Sequence, residues 1–146
     1  MDTRIFRKFL STFLVSLFFL CAAPFVAHGA NAGFISGIWY STFPFFAGDT
    51  VRVYAAIQNR SGGDLTGTAG FFVDGAEIGT AHFSAVHGGL IEVWADWKAT
   101  KGEHSVTAKI LTAAGSDAGN EPKLVVLDAA ALPASSVDVD TDLDHD

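Results

Sequence analysis

Residues 48–110 read GDTVRVYAAIQNRSGGDLTGTAGFFVDGAEIGTAHFSAVHGGLIEVWADWKATKGEHSVTAKI. Apolar residues alternate with other residues from 51 to 58, from 91 to 98 and from 104 to 110, which is typical of strands with one buried face. Turn residues separate these runs at Gly48-Asp49, 58–63, Asp74-Gly75, 87–89 and Lys101-Gly102. The spacing predicts an antiparallel β-sandwich.

The dipeptide Asp74-Gly75 predicts a tight hairpin. It lies between the strand-like runs 66–73 and 77–83, and a type I′ turn needs two residues with positive φ. With an opening strand at 35–40 and a closing strand at 123–127, the chain has about seven short strands. That count predicts an all-β, immunoglobulin-like sandwich, with a barrel of similar strand number as the alternative.

Several motifs in this stretch are similar to those of a bacterial family. They are Gly48-Asp49-Thr50-Val51, Asn59-Arg60-Ser61-Gly62, Phe72-Val73-Asp74-Gly75 with Ile78-Gly79, the strand 94–97, and Lys101-Gly102-Glu103-His104. Together, over about residues 48–112, they resemble the cell-adhesion-related domain found in bacteria, CARDB. The resemblance implies an immunoglobulin-like fold in a secreted or surface protein, and it implies no particular functional residue.

Residues 1–32 are typical of a secretory signal peptide, which we expect to be helical. A basic start is followed by an apolar run from 9 to 27 and by Ala30-Asn31-Ala32, small residues that suit a signal peptidase. The alternative is an uncleaved anchor, since the run approaches the length that spans a bilayer. Either outcome predicts a secreted, envelope or cell-surface location for the rest of the chain. Cys21, the one cysteine, lies in this leader.

Residues 33–128 are expected to form a single domain. After Ala32 the chain carries six basic and fifteen acidic residues, a charge balance that makes nucleic acid a poor partner. Without a further cysteine, stability must come from a hydrophobic core. We expect a monomer, although exposed edges of a sandwich can pair with another chain.

Aromatic residues are the candidate ligand-binding residues: Trp39, Tyr40, Phe43 and Trp94. Aromatic rings stack on sugars or anchor protein partners. The alternative is that the first three, with Phe45 and Phe46, cover one end of the core. Trp94 points away from Trp97 by strand alternation, so only one of the two belongs to the core.

No catalytic constellation is recognisable. The sequence lacks a Gly-x-Ser-x-Gly elbow, a phosphate loop and a His-Glu-x-x-His motif, and we expect no enzyme activity. His82, His87 and His104 have no ligand spacing, and His104 is predicted to be a packed core histidine. Asn59-Arg60-Ser61 matches the glycosylation sequon, although a turn explains it equally well.

Residues 129–146 are interpreted as an Ala/Ser-rich linker followed by an acidic tail. Aspartates alternate at Asp138, Asp140, Asp142, Asp144 and Asp146. Calcium loops place oxygen ligands at positions 1, 3 and 5, but they also need a glycine at 6 and an acidic residue at 12. The run is therefore an incomplete calcium loop, and calcium is the one cofactor that the sequence suggests. A plain solubilising tail is the alternative.

These features predict a non-enzymatic adhesion or spacer domain outside the cytoplasm, at the N-terminal part of a larger surface protein. Its partner would be an extracellular protein or glycan, and contact with a membrane would involve only an uncleaved leader. The alternative function is a carbohydrate-binding module that uses exposed aromatic residues.

Overall fold

The computed structural model describes residues 29–116 and 123–141. Within them the chain forms strands and turns, and no helix has the length and apolarity needed to span a bilayer. The strands are β1 (Gly29–Phe34), β2 (Trp39–Tyr40), β3 (Thr50–Asn59), β4 (Asp64–Val73), β5 (Ala76–Ala85), β6 (Leu90–Lys98), β7 (Gly102–Ser116), β8 (Lys123–Leu124), β9 (Val126–Ala129) and β10 (Ser135–Val139).

The first sheet is built around β3. One edge of β3 pairs with β6 in an antiparallel ladder from Thr50↔Lys98 to Gln58↔Leu90. The other edge pairs with β1 near the end of β3 and with β2 near its middle. β1 also pairs in parallel with β9, which completes five strands.

The second sheet has the order β10-β7-β4-β5, with β8 added to the far end of β7. All of its pairs are antiparallel. The chain changes sheet between β3 and β4, returns between β5 and β6, and changes again between β6 and β7. These crossovers bring the two sheets face to face.

A single hydrophobic core lies between the sheets. Val51, Val53 and Ile57 of β3 are fully buried, as are Phe71 of β4 and Val106 of β7. The alternation predicted for β3, β6 and β7 is therefore confirmed, because each of these strands contributes inward-facing side chains at every second position to one cluster. The molecule is all-β, with largely antiparallel sheets arranged as a β-sandwich.

The hairpin at Asp74-Gly75 is confirmed. Both residues have positive φ, 51° and 82°, which is the requirement of a type I′ turn. The turn places Asp74 above the start of β7, where its carboxylate accepts a hydrogen bond from the backbone N–H of Ser105 at 2.8 Å.

The first strand begins earlier than the sequence predicts. β1 spans Gly29–Phe34, so residues 29–32, assigned above to the leader, lie in the sheet. Ala32 is buried and pairs with Asn59. The opening strand predicted at 35–40 is correct only for β2. Residues 1–28, which contain most of the predicted signal peptide, lie outside the described residues.

Gly33 allows β9 to join this edge of the sheet. A Cβ atom at Gly33 would overlap the carbonyl oxygen of Ala129, and the residue has a φ of +146°. Glycine is the residue that accepts both conditions. The closing strand predicted at 123–127 corresponds to two separate strands in the structure. β8 extends the second sheet and β9 extends the first.

The interpretation of residues 129–146 as linker and tail is wrong for Ser135–Val139. This segment forms β10, which pairs with β7 from Ser135↔Val106 to Val139↔Gly102. Val137 and Val139 point into the core, and Val139 is 1% exposed. The valines alternate with Asp138 and Asp140, so the strand has one apolar face although its other face is acidic.

Candidate binding face

Two of the four predicted aromatic residues lie together on the outer surface of the first sheet. Trp39 of β2 pairs with Tyr54 of β3, and Tyr54 pairs with Trp94 of β6. The three side chains therefore form one row across three neighbouring strands. We call this row, together with Arg52 and Asp96, the aromatic face.

Within the row, the rings of Trp39 and Tyr54 are stacked. Their centroids are 5.7 Å apart and their planes differ by 7°. Directly opposite residues on neighbouring strands stand side by side, so one face of each ring is turned toward the other. Trp94, at the other end of the row, is 43% exposed.

Arg52 holds the second half of the aromatic face together. Its guanidinium carbon lies 3.7 Å from the ring centroid of Trp94, a cation–π geometry. Its Nε donates to Oδ1 of Asp96 at 3.0 Å. The hydrogen bond to Asp96 raises the pKa of Arg52 above its usual value, so the guanidinium stays charged.

Local pairing explains this arrangement. Arg52 and Asp96 are direct partners in the β3–β6 ladder, and Trp94 is the diagonal neighbour of Arg52. Diagonal neighbours are within reach of long and aromatic side chains. The backbone N–H of Arg52 donates to Oγ of Ser41 at 3.0 Å, which ties this part of β3 to the segment after β2.

The other two predicted aromatic residues lie elsewhere. Tyr40 points inward and packs against Phe45, with centroids 5.2 Å apart. Burial raises the pKa of Tyr40 and the nearby Ser135 side chain partly offsets that rise, although the buried hydroxyl makes no well-formed hydrogen bond to a described residue. Phe43 is 75% exposed and meets Phe45 edge to face. The predicted set of four is therefore not one site.

Tyr54 and Arg52 are members of the aromatic face that the sequence analysis did not select. Strand alternation places both on the outer face of β3. The signal that was missing is the register between β2, β3 and β6, since only that register brings Trp39, Tyr54 and Trp94 into one row.

The aromatic face offers ring edges, polar atoms and a fixed ion pair. Trp39 and Tyr54 cover one another, and Arg52 covers one face of Trp94. Sugar stacking uses an open ring face, while tryptophan, tyrosine and arginine are the residues that most often anchor protein interfaces. The aromatic face therefore has the chemistry for contact with a protein or with a sugar.

The structure describes two of the five predicted calcium ligands. Asp138 and Asp140 are exposed in or next to β10, and Oδ1 of Asp140 lies 3.9 Å from Nζ of Lys101. Asp142, Asp144 and Asp146 lie outside the described residues. Within 29–116 and 123–141, no three His, Cys, Asp or Glu side chains are placed to hold a metal ion.

His104 is a packed histidine, as predicted. Its ring meets Trp97 edge to face, with centroids 5.3 Å apart. Nδ1 lies 2.7 Å from Oδ2 of Asp74, and Nε2 lies 2.8 Å from the carbonyl oxygen of Thr100. The hydrogen bond to Asp74 raises the pKa of His104, while the N–H of Ser105, and then His104, lower the pKa of Asp74.

Asn59 of the sequon is fully buried. Its Nδ2 donates to the carbonyl oxygens of Gly63 at 2.8 Å and Ala85 at 2.9 Å. Its Oδ1 accepts from the backbone N–H of Ser61 at 3.0 Å. Both amide hydrogens are used and no space remains for a glycan, so the turn explains this tripeptide.

No family model matches the chain, and no curated protein is significantly similar to it. The resemblance to CARDB therefore stays a prediction that rests on the quoted motifs alone.

Proposed function

We propose that this protein is an exported, non-enzymatic immunoglobulin-like module of the CARDB type. It would serve as an adhesion or spacer domain at the cell surface or in the envelope, at the N-terminal part of a larger surface protein. The observation that carries the proposal is the aromatic face, in which Trp39, Tyr54, Trp94 and Arg52 form one row on the outer side of the first sheet, with Trp94 exposed and the other three partly exposed.

The order of the strands supports the immunoglobulin-like assignment. Immunoglobulin-like domains divide about seven strands between two sheets, and consecutive strands cross from one sheet to the other. Here β3 and β6 pair in one sheet, while β4, β5, β7 and β10 form the other. The leader predicted from residues 1–32 supports export.

The chemistry of the aromatic face supports adhesion through protein contact. Interface hot spots are enriched in tryptophan, tyrosine and arginine, and they gain from side chains that are already ordered before binding. The stack of Trp39 on Tyr54 and the pairing of Arg52 with Trp94 and Asp96 fix five side chains in the free protein. Little side-chain entropy is then lost when a partner binds.

Carbohydrate recognition is the second candidate. It is favoured by the exposure of Trp94, which is 43%, and by the ring face that Arg52 does not cover. Glu92, the exposed residue two positions before Trp94 on the same side of β6, carries a carboxylate that can accept hydrogen bonds from sugar hydroxyl groups.

A competition experiment on intact cells of the source organism tests the proposal. Fluorescently labelled protein is bound to the cells and displaced with unlabelled wild-type protein, Tyr54→Ala or Trp94→Ala. We expect both variants to displace the label at least about tenfold less well, as expected for hot-spot residues. Leu111→Ala, an exposed change on the second sheet, is the control.

Equal displacement by the wild-type protein and both variants would contradict a role for the aromatic face. Pretreating the cells separates the two candidates, because protease abolishes binding to a protein and glycosidases abolish binding to a glycan. A glycan array probed with the wild-type protein and with Trp94→Ala gives an independent result for the second candidate.

A further inference from the structure

Exposed apolar side chains lie on the outer surface of the first sheet, next to the aromatic face. Ile35, which follows β1, is 51% exposed, and Leu90 of β6 is 62% exposed. Trp94, on the same side of β6 as Leu90, is 43% exposed. Exposed apolar surface that is bordered by polar residues usually marks a contact site.

The register of the sheet places Ala56 at the centre of this surface. Ala56 of β3 pairs with Glu92 of β6, and its carbonyl oxygen accepts a hydrogen bond from the backbone N–H of Ile35 at 3.1 Å. These three outward-facing residues form the row next to Trp94. Ala56 has the shortest side chain of the row and is 8% exposed, so its longer neighbours stand above it. We call this shallow depression the Ala56 recess.

One side of the Ala56 recess is the uncovered ring face of Trp94. The guanidinium carbon of Arg52 lies 3.7 Å from the ring centroid. The hydrogen bond from Arg52 to Asp96 keeps the guanidinium on the Asp96 side of the ring. The other ring face is therefore turned toward Glu92, two positions earlier on the same side of β6. An indole face attracts cations more strongly than the face of any other aromatic side chain.

Glu92 places a negative charge beside this ring face. The side chain is exposed, and the ion pairs formed within residues 29–116 and 123–141 do not include it. Arg52 does not offset this charge, because its guanidinium pairs with Asp96 at 3.0 Å. The Ala56 recess therefore combines an apolar base, an indole face and a carboxylate.

This combination matches a basic side chain, which has an apolar stem and a charged head. The stem would lie over Ala56 beside Ile35, and the head would meet the ring of Trp94 and the carboxylate of Glu92. We propose that the Ala56 recess binds an arginine or lysine side chain of a partner protein. This inference rests on the proposed function, since it names the chemistry of the partner that the aromatic face contacts.

The charge of the domain also favours a basic partner. Six basic and fifteen acidic residues follow Ala32, so the electrostatic field of the domain attracts positively charged surfaces and accelerates their association. Arginine fits the recess better than lysine, because a planar guanidinium stacks on aromatic rings and pairs with carboxylates.

An NMR titration of the ¹⁵N-labelled protein with N-acetyl-arginine amide tests the proposal. We expect saturable shifts of the indole N–H signal of Trp94 and of the backbone amide signals of Ala56 and Glu92. N-acetyl-citrulline amide, which has nearly the same shape but no charge, should not produce them. The indole signal of Trp94 is identified as the one that Trp94→Phe removes.

Three variants sharpen the test. Glu92→Gln keeps the size of the side chain and removes its charge, and it should raise the dissociation constant about threefold, as expected for one exposed ion pair. Ala56→Leu fills the recess and should abolish the shifts. Glu77→Gln, the same chemical change at an exposed residue of β5, is the control and should bind like the wild-type protein. Thermal unfolding confirms that each variant is folded.

The absence of saturable shifts in the wild-type protein, or equal shifts with the citrulline derivative, would overturn the proposal. Equal dissociation constants for the wild-type protein and Glu92→Gln would also overturn it. Shifts of the same signals by N-acetylglucosamine but not by the arginine derivative would overturn it in favour of carbohydrate recognition. In the cell-displacement experiment, weaker displacement by Trp94→Ala but not by Glu92→Gln would overturn this inference alone and leave the proposed function intact. The titration uses no cells, so its result is independent of whether adhesion is found.

Discussion

Nδ1 of His104 lies 2.7 Å from Oδ2 of Asp74, and this hydrogen bond connects the start of β7 to the β4–β5 turn. The other ring nitrogen of His104, Nε2, faces the carbonyl oxygen of Thr100 at 2.8 Å. An ionised carboxylate and a carbonyl group both accept hydrogen bonds and donate none. The doubly protonated imidazolium is therefore the form of His104 that satisfies both contacts.

We predict that the stability of the fold decreases as pH rises through the folded-state pKa of His104. That pKa is raised above the ordinary value of 6.5, first by the hydrogen bond to Asp74 and to a smaller degree by the charge of Asp138. A raised pKa means that the stabilisation is fully present below about pH 6.5 and is lost above the folded-state value. Urea midpoints measured across this range test the prediction.

Two variants serve as controls for this pH dependence. His104→Gln removes the titrating group, and Asp74→Asn removes the charge but keeps a residue that tolerates the φ of 51° at this turn. Both should flatten the midpoint curve above pH 6.5 relative to the wild-type curve. Curves that run parallel for the wild-type protein and His104→Gln would exclude His104 as the source.

At acid pH, Asp74 makes the opposite contribution. Its pKa is lowered below 3.8 by the N–H of Ser105 and then by His104. Its stabilisation is present above that ordinary value and is lost as pH falls through the folded-state pKa. Asp74→Asn should therefore lose stability relative to the wild-type protein at neutral pH and match it more closely in strong acid.

Asn59 gives a second prediction, on stability. Asn59→Ala leaves the carbonyl oxygens of Gly63 and Ala85 without their donor and removes the acceptor of Ser61. Unsatisfied buried polar groups are costly, so we expect the free energy of unfolding to fall by about 2–3 kcal/mol. Arg60→Ala, an exposed change beside it, should alter it by less than about 0.5 kcal/mol. Chemical denaturation measures both, and equal effects would contradict the role assigned to Asn59.

The fold could be predicted where local patterns decide it. Alternation in β3 and β6 and the chemistry of Asp74-Gly75 are local, and they gave the correct strands and turn. β1 was missed because small residues around Ala32 resemble a peptidase site and have no clear period. β10 was missed because its acidic face was given more weight than the alternation of Val137 and Val139.

The candidate site could be predicted only in part. Outward orientation of Trp94 follows from alternation, and its exposure agrees with that expectation. The aromatic face also depends on which residue of β3 pairs with Trp39, and register is a property of the assembled sheet. Tyr40 was selected for its type and position, but it occupies the inward side of β2 opposite Val53.

The burial of β10 leads to a third prediction. Val139→Ala removes two carbon atoms from a side chain that is 1% exposed, and we expect the free energy of unfolding to fall by about 2 kcal/mol. Ser136→Ala, on the exposed side of the same strand, should change it by less than about 1 kcal/mol. Urea denaturation of both variants tests this prediction. Equal and small effects would contradict the burial of Val139 and would indicate that residues 135–139 form a tail.

The position of β1 gives the last prediction, the N-terminus of the exported protein. Cleavage after Ala32 would remove Gly29 and Ala30, which pair with Val126 and Leu127 of β9, and Ala32, which pairs with Asn59. The strand would lose three of its six residue pairs, and its pairing with β9 would be reduced to Gly33↔Ala129. We therefore expect the mature chain to begin at or before Gly29, as measured by mass spectrometry of the intact exported protein. A mature N-terminus at Gly33 would contradict this expectation, and the thermal stability of that shorter chain would then show whether β9 still docks.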